Sequence, residues 1–485
     1  RSDDLTNRAA MGGDSYRLDR LGSITDPAEA QASRVLAISV ILIYNETMFK
    51  QYVQWRLERY IKKYFKKHHP TLIVVVGSVG KTTTKTAIAT ALAGRYRTQL
   101  EAGNLNTPLS VPLALMGVKY PPTELVHQRS TWRQVFRAMR QRVKAPQGVD
   151  VIIQELGTDH PGDLATYANY LSPDIMVLTA VSPEHMEGFP GGLDQVAREE
   201  FTLSGCSGLV IVGNDDVDSR FVNYANTGNL TSYGIDGGQY QVDVIGGSPL
   251  AGYEVVFTAP ELSQPIRAVL HVVGNHMLKS ACAAVTVGLR MGVPVSELVA
   301  NIEKFRPVPG RMNPLPGRRN STLIDDTYNS SPIAAIAALQ TLYQIEAPQR
   351  IAILGTMNEL GNYALSAHQQ VGSFCDPSML DWVITIGDMA NQQLALAARK
   401  NGCQTRTFAD PVSAGTFASQ VLKEGAVVLI KGSQDRVYAE EATKVLLRDS
   451  DDAAKLVRQD EEWQKRKQDW FTGLGKHDEE ELEEE

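Results

Sequence analysis

The stretch Thr71–Lys85, TLIVVVGSVGKTTTK, constrains this chain more than any other. An apolar, β-branched run from Leu72 to Val76 stops at Gly77-Ser78-Val79-Gly80-Lys81-Thr82-Thr83, and a helix-forming segment follows. Strand, glycine turn and helix N-terminus, in that order, cradle polyphosphate. Glycine lets backbone N–H groups come close, and the helix end favours negative charge. In that arrangement Lys81 reaches the β/γ-phosphates and the Thr82 hydroxyl meets Mg²⁺. The general spacing asks for glycine at position 75, where this chain has Val75. A plain turn would account for Gly-x-x-Gly but not for Gly-Lys-Thr-Thr behind a valine run. Nucleotide binding is the favoured reading.

A chain of 485 residues exceeds one ordinary core, so two or three domains are expected. With 43% apolar and 21% charged residues the composition is that of a globular protein. A net charge of −7 gives no footprint for nucleic acid. The four cysteines (Cys206, Cys282, Cys375, Cys403) form no C-x-x-C pair, which argues against a zinc ribbon or disulfide framework and for a reducing cytoplasm.

No segment reaches the roughly 20 apolar residues that span a bilayer. The nearest, Val35–Tyr44, is followed by KQYVQWRLERYIKKYFKKHH (50–69), in which Glu58 is the single acid. Val53, Leu57, Tyr60, Ile61, Tyr64 and Phe65 fall on one helical stripe. Two readings stand side by side: a membrane-surface helix attracted to anionic lipid, or a helix docked on the next domain with a solvated basic face. The first would place the protein at the inner face of the membrane.

Residues 1–34 are polar and non-periodic and are expected to be flexible, and 35–70 hold the apolar run and basic helix. From 71 to 310, short apolar runs (Leu72–Val76, Val151–Gln154, Ile175–Thr179, Leu209–Val212) alternate with helical stretches. That alternation predicts a mainly parallel α/β sheet, with a small antiparallel insertion over 237–273. The Pro/Gly cluster Phe305–Arg311 marks a boundary. A second, Rossmann-like α/β domain is expected over 311–450, with strands at Ser321–Asp325, Arg350–Leu354, Trp382–Ile386 and Val427–Ile430. The remainder, 451–485, reads as a solvated charged tail.

Further polar clusters sit at strand ends, where open α/β sheets place ligands. Glu155, closing a strand, puts a carboxylate beside the phosphate loop as a second Mg²⁺ partner. SPEHMEGF (182–189) offers His185 and Glu187 after another strand.

Together with GNLNTPLSVPLALM (103–116), ELGTDHPGD (155–163), VPGRM (308–312), IDDTYNSSP (324–332), LGTMNELG (354–361) with His368, and IKGSQDR (430–436), these segments resemble the Mur ligase family, in particular its MurF branch. The resemblance covers about residues 71–465. It implies a central P-loop ATPase domain and joining of D-Ala-D-Ala to a UDP-MurNAc-tripeptide acceptor, with ATP and Mg²⁺. The acceptor carboxylate becomes an acyl phosphate, and an amine then displaces phosphate.

Carried over residue by residue, Gly77 to Thr83 match the ATP loop, and Glu155 and His185 the magnesium positions. Arg311 matches the arginine that reaches the nucleotide, and Asp326 the ribose-binding aspartate. Asn104, Asn106 and Thr107 match the acceptor-facing loop. Asn358, Glu359, Lys431, Gly432 and Ser433 match segments that close over the amino substrate. The resemblance implies a monomer working on small molecules, with no nucleic acid.

Three departures stand out. Where many members carry a carbamylated lysine, this chain reads VAREEF, so Glu200 (or Glu199) could face the metal directly. Ser280 stands where an asparagine usually contacts the nucleotide, with shorter reach. The residues before position 71 show no αβ pattern for a UDP-binding domain, so either that domain is missing from this sequence or the acceptor is held differently. If the basic helix lies on a membrane, a lipid-linked muropeptide is a further acceptor to consider. Competing readings are a folylpolyglutamate- or cyanophycin-type ligase and an ATP-binding membrane scaffold. A MurT-like amidating ligase is disfavoured by the missing cysteine ribbon.

Overall fold

The structure, a computed structural model, describes residues 27–101, 106–146 and 148–483. It divides into two compact units, one ending at Leu57 and one starting at Glu58. The segment expected to be flexible lies outside the described residues up to position 26. From Pro27 the chain is helical, in a single helix α1 (Pro27–His68). Among the described residues no helix is long and apolar enough to cross a membrane. In the first unit Arg56 donates to the Tyr52 hydroxyl at 2.9 Å, and Tyr52 and Trp55 are about half exposed.

The second unit holds two sheets. The first runs β2 (Thr98–Leu100), β3 (Val151–Glu155), β1 (Thr71–Val76), β4 (Ile175–Leu178), β5 (Leu209–Gly213), β6 (Leu230–Gly234), β7 (Tyr240–Ser248), β8 (Gly252–Thr258) and β9 (Ile266–Leu270). Strands β2 to β6 pair in parallel, and β7–β8–β9 continue the same sheet antiparallel. The segment expected as an insertion is therefore an antiparallel edge. The β-branched residues of β1, β3, β4 and β5 are buried along their length, as strands covered on both faces require.

The second sheet runs β10 (Asn313–Pro316), β11 (Thr322–Asp326), β15 (Val427–Lys431), β12 (Arg350–Gly355), β13 (Trp382–Ile386) and β14 (Thr405–Phe408), parallel except for β10. The edge strands β2, β10 and β14 and the inner strand β6 are short and carry too few apolar residues to be read as strands from the sequence.

Helix α2 (Lys81–Leu92) follows β1 and packs beside the helix Asn275–Arg290, with the Thr84 and Ser280 hydroxyls 3.0 Å apart. Asn301 closes its far end by donating to the Ala91 and Ala93 carbonyls. Beyond residue 450 the chain turns back onto the second sheet and continues as the helix Glu461–Glu483, with Arg458 and Lys467 both buried. The expected solvated tail is thus partly core, because its cations meet buried acids.

Candidate active site

Parallel strands deliver their C-terminal ends to one edge, and that edge is where the site forms. The loop after β1 holds the phosphate-binding motif, Glu155 ends β3, and His185 follows β4. Asp326 ends β11, Glu359 follows β12 and Lys431 ends β15. A cavity of about 550 Å³ is lined from both sheets by these residues.

The phosphate loop is shaped by two left-handed glycines. Gly77 has φ +123°, and a Cβ there would stand 2.3 Å from Thr179 Oγ1; Gly80 has φ +84°. The loop is pinned from behind. Ser78 N donates to Ala180 O, Thr179 Oγ1 to Val79 O, and Gly77 N to Glu200 Oε2 at 2.8 Å. Among the described residues the N–H groups of Val79, Gly80 and Lys81 have no protein acceptor at the start of α2, which is the cradle a polyphosphate needs. Lys81 donates to the Gly77 and Ser78 carbonyls.

Thr82 Oγ1 lies 2.9 Å from Glu155 Oε2, and Lys85 pairs with the same carboxylate at 3.0 Å. A hydroxyl beside a carboxylate is the hard oxygen set Mg²⁺ takes. Among the described residues no group of three or more His, Cys, Asp or Glu forms a ready metal site. Instead of joining Thr82 and Glu155, His185 (φ +51°) gives its Nδ1 to Glu359 Oε2 at 2.7 Å, with Asp159 at 3.5 Å. Burial works against a charged His185. The Glu359 hydrogen bond and the neighbouring Glu184 and Asp159 outweigh it and hold its pKa above the ordinary value.

Glu200 is the sharpest correction to the sequence reading. It is buried behind the loop and does not line the cavity, so it contacts loop backbone where a metal-facing position was expected. Burial pushes its carboxyl up to about 7, against the pull of Lys81 and the Gly77 N–H. Glu199 accepts from Gly162 N and Leu164 N, capping the helix Asp163–Ala168.

The opposing wall is made by ion pairing. Lys431, 2% exposed, holds Asp326 Oδ2 at 2.7 Å and donates to Asn329 O, while Asp326 Oδ1 accepts from Met312 N. The Arg311 guanidinium lies 4.2 Å from the Tyr328 ring centroid, and its buried Nε lacks an acceptor among the described residues. Ser78, Val79, Thr83, Asn106, Thr107 and Ser280 also line the cavity. Thr107 additionally bonds Ser110 at the start of the next helix.

Asn104 lies outside the described residues. Asn358 and Ser433 do not line the cavity: Ser433 Oγ accepts from Asn358 N, and Asn358 Nδ2 donates to Asp435 O, tying together the loops after β12 and β15. Gly432 lies in that same packing, where a Cβ would meet Val437 at 2.8 Å. His368 is likewise structural, fully buried and bonded to Met357 N and Ala364 O.

Two cavity residues escaped the sequence reading. Glu184, next to His185, is pushed up by burial while Lys81, His185 and Arg311 pull it down. His276 is lowered to about 4 by burial, with Lys431, Lys279 and Arg311 nearby. Glu184 adjoins His185, and His276 lies one helical turn before Ser280, but only the fold shows which side chain of each string faces inward; Glu187 is exposed.

Residues 75–288 match the Mur ligase middle domain and residues 310–434 the glutamate ligase domain of Mur ligases. The chain belongs to the Mur ligase family. It is 25% identical over 387 residues to the UDP-N-acetylmuramoyl-tripeptide--D-alanyl-D-alanine ligase of Escherichia coli (strain K12), covering 76% of this chain and 75% of that one. The crystal structure of MurF from Acinetobacter baumannii aligns with TM-score 0.67 at 22% identity, covering 80% and 79% of the two chains. Folylpolyglutamate synthase of Mycobacterium tuberculosis, complexed with ADP, aligns with TM-score 0.59 at 17% identity, over 84% and 99%.

Proposed function

We propose that this Mur ligase is an ATP-dependent amide ligase that joins D-Ala-D-Ala to a UDP-MurNAc-tripeptide-like acceptor. The observation that carries the reading is the single cleft that sets the N–H cradle of Val79–Lys81 beside Arg311 and Asp326 of the second domain.

A carboxylate is a poor electrophile, so the acceptor is first phosphorylated, ADP leaving. The amine then attacks the acyl carbon and inorganic phosphate departs. In this chain the loop N–H groups and Lys81 hold the triphosphate, and Arg311 adds charge from the second domain. Asp326, fixed by Lys431, is placed for the ribose. Thr82 and Glu155 would hold Mg²⁺, whose charge offsets that of the phosphates. The His185–Glu359 pair links the loop after β4 to the loop after β12 across the cleft.

The test is phosphate release from ATP and Mg²⁺ with D-Ala-D-Ala and UDP-MurNAc-tripeptide added singly and together. Release that requires both, with a product heavier by one dipeptide, is expected. ATP binding without acceptor-dependent release would overturn this acceptor, and a lipid-linked muropeptide would be tried next.

The finer reading of location is peripheral contact with anionic lipid. Within the second unit, Lys62, Lys63, Lys66 and Lys67 of α1 are exposed, and the helix Arg129–Lys144 packs alongside. Lys67 donates to Val143 O and Lys144 O, and Tyr60 stacks on Phe136 at 6.3 Å. That second helix exposes Arg133, Arg137 and Arg140, and no acid occurs between Leu125 and Val149. Co-sedimentation with phosphatidylglycerol vesicles, lost at high salt, is expected; equal recovery with neutral vesicles would remove this reading.

A further inference from the structure

Arg458 lies beyond residue 434, where the match to the family ends, yet its guanidinium is almost wholly buried. Its Nε and Nη2 grip both oxygens of Glu440, at 2.8 and 2.6 Å. The rest of the fork reaches the turn after β11: Nη1 donates to Tyr328 O at 3.0 Å, and Nη2 also donates to Thr327 O. Tyr328 is the residue whose ring lies under Arg311, and it lines the cleft.

The neighbouring Val457 touches the other cleft turn. A Cβ on Gly310 would come within 2.8 Å of Val457 Cγ1 and 3.1 Å of Tyr328 Cβ, and Tyr328 N donates to Gly310 O. Two adjacent residues therefore press on the turn bearing Arg311 and on the turn bearing Asp326 and Tyr328. The chain is held there by its own helix. Lys467 pairs with Glu440 at 2.9 Å and Glu441 at 2.6 Å, and Trp463 and Trp470 flank the Tyr438 ring. Arg458 itself adopts φ +57°, a conformation side chains rarely take unless the surroundings impose it.

We propose that residues 457–467 are a strap that sets the nucleotide-facing wall of the cleft, with Arg458 the positioning residue for Arg311 and Tyr328. The proposal rests on the nucleotide-binding reading above. Arginine is needed because one planar fork satisfies a carboxylate and two carbonyls together, which a lysine ammonium cannot do in that geometry. The strap adds no group to the chemistry. It removes freedom from two turns that meet only in the folded molecule.

The test compares Arg458→Lys with Lys467→Met in the full chain, by calorimetric titration with the non-hydrolysable analogue AMP-PNP and by amide exchange at 309–312 and 326–331. Arg458→Lys keeps a cation beside Glu440 but loses the fork. It is expected to weaken AMP-PNP binding roughly tenfold and to speed exchange in both turns. Lys467→Met removes a buried cation of the same network without touching either turn. It is expected to lower thermal stability at least as much as Arg458→Lys does, while changing affinity and exchange in those turns far less. Equal losses of stability in the two variants, with affinity and turn exchange unaltered in both, would reduce the strap to a fold-stabilising element and overturn the proposal. If the unmodified protein binds no AMP-PNP, the nucleotide reading fails, and unchanged exchange in Arg458→Lys would separately defeat the strap.

Discussion

The two walls of the cleft are built in opposite ways. The phosphate-loop wall comes from one continuous run, Gly77–Thr83, between a buried strand and the helix it starts. The facing wall is assembled from Arg311, Asp326, Tyr328, Glu359, Lys431 and, behind them, Arg458, drawn from across nearly 150 positions of sequence, on the order one expects when loops rather than a motif make a site. A local motif carries its geometry in backbone conformation and survives changes to its surroundings. A dispersed wall depends on ion pairs and packing, so it fails through stability as readily as through chemistry.

The largest effect should come from the local wall. Lys81→Ala is expected to cut acceptor-dependent phosphate release by at least ~100-fold, since a preorganised charge at the phosphates is lost. A rate near that of the unmodified protein would break the loop's assignment. On the dispersed wall, Lys431→Met strands a buried Asp326 carboxylate, which costs about 3 kcal/mol in urea unfolding. Combining it with Asp326→Leu should recover much of that loss, and failure to recover would mean the pair is not the wall's main tie.

Glu200 tests how far the local wall is truly local. Its folded pKa, about 7, stands above the ordinary 4.5. Its contribution to stability is therefore fully present below pH 4.5 and is lost as pH rises through about 7, where a charge must sit buried behind the loop. Glu200→Gln should flatten that fall in a pH series of melting curves, and an unchanged slope would detach Glu200 from the loop. The smallest effect is expected from Glu359→Gln. Its pair with His185 is partly solvated, so less than ~1 kcal/mol is at stake. The His185 pKa should nevertheless drop in NMR titration, because burial then acts with less opposition.

How much was readable in advance follows the same division. The long apolar strands β1, β3, β4, β5, β11, β12, β13 and β15 were legible because central parallel strands are continuous apolar runs. The short strands β2, β6, β10 and β14 were not, since their residues mix buried and half-exposed positions. Thr82 and Glu155, read from separate strings, meet in a hydrogen bond, and Lys81 lines the same cavity. Glu200 was singled out as a charge that could face the metal in place of a carbamylated lysine, but which atom it meets depends on how the helix Leu193–Glu200 docks. Asn358 and Ser433 were drawn to substrate by their place in the strings, and the pairing of β12 with β15 spends them on each other. Glu184 and His276 were passed over beside better-known neighbours.

By itself the sequence carried the α/β class, the glycine turn Gly77–Thr83 between strand and helix, and the family to which the chain belongs. These follow from local periodicity, glycine conformation and the order of short strings, none of which needs distant contacts. The tertiary structure alone decided which strand ends share a cleft, that Lys431 neutralises Asp326, that Glu200 backs the loop, and that residues 457–467 return from an apparently solvated tail to brace the far wall. Charged residues read as solvent-facing when taken singly. Only the fold shows when a buried partner makes them part of the core.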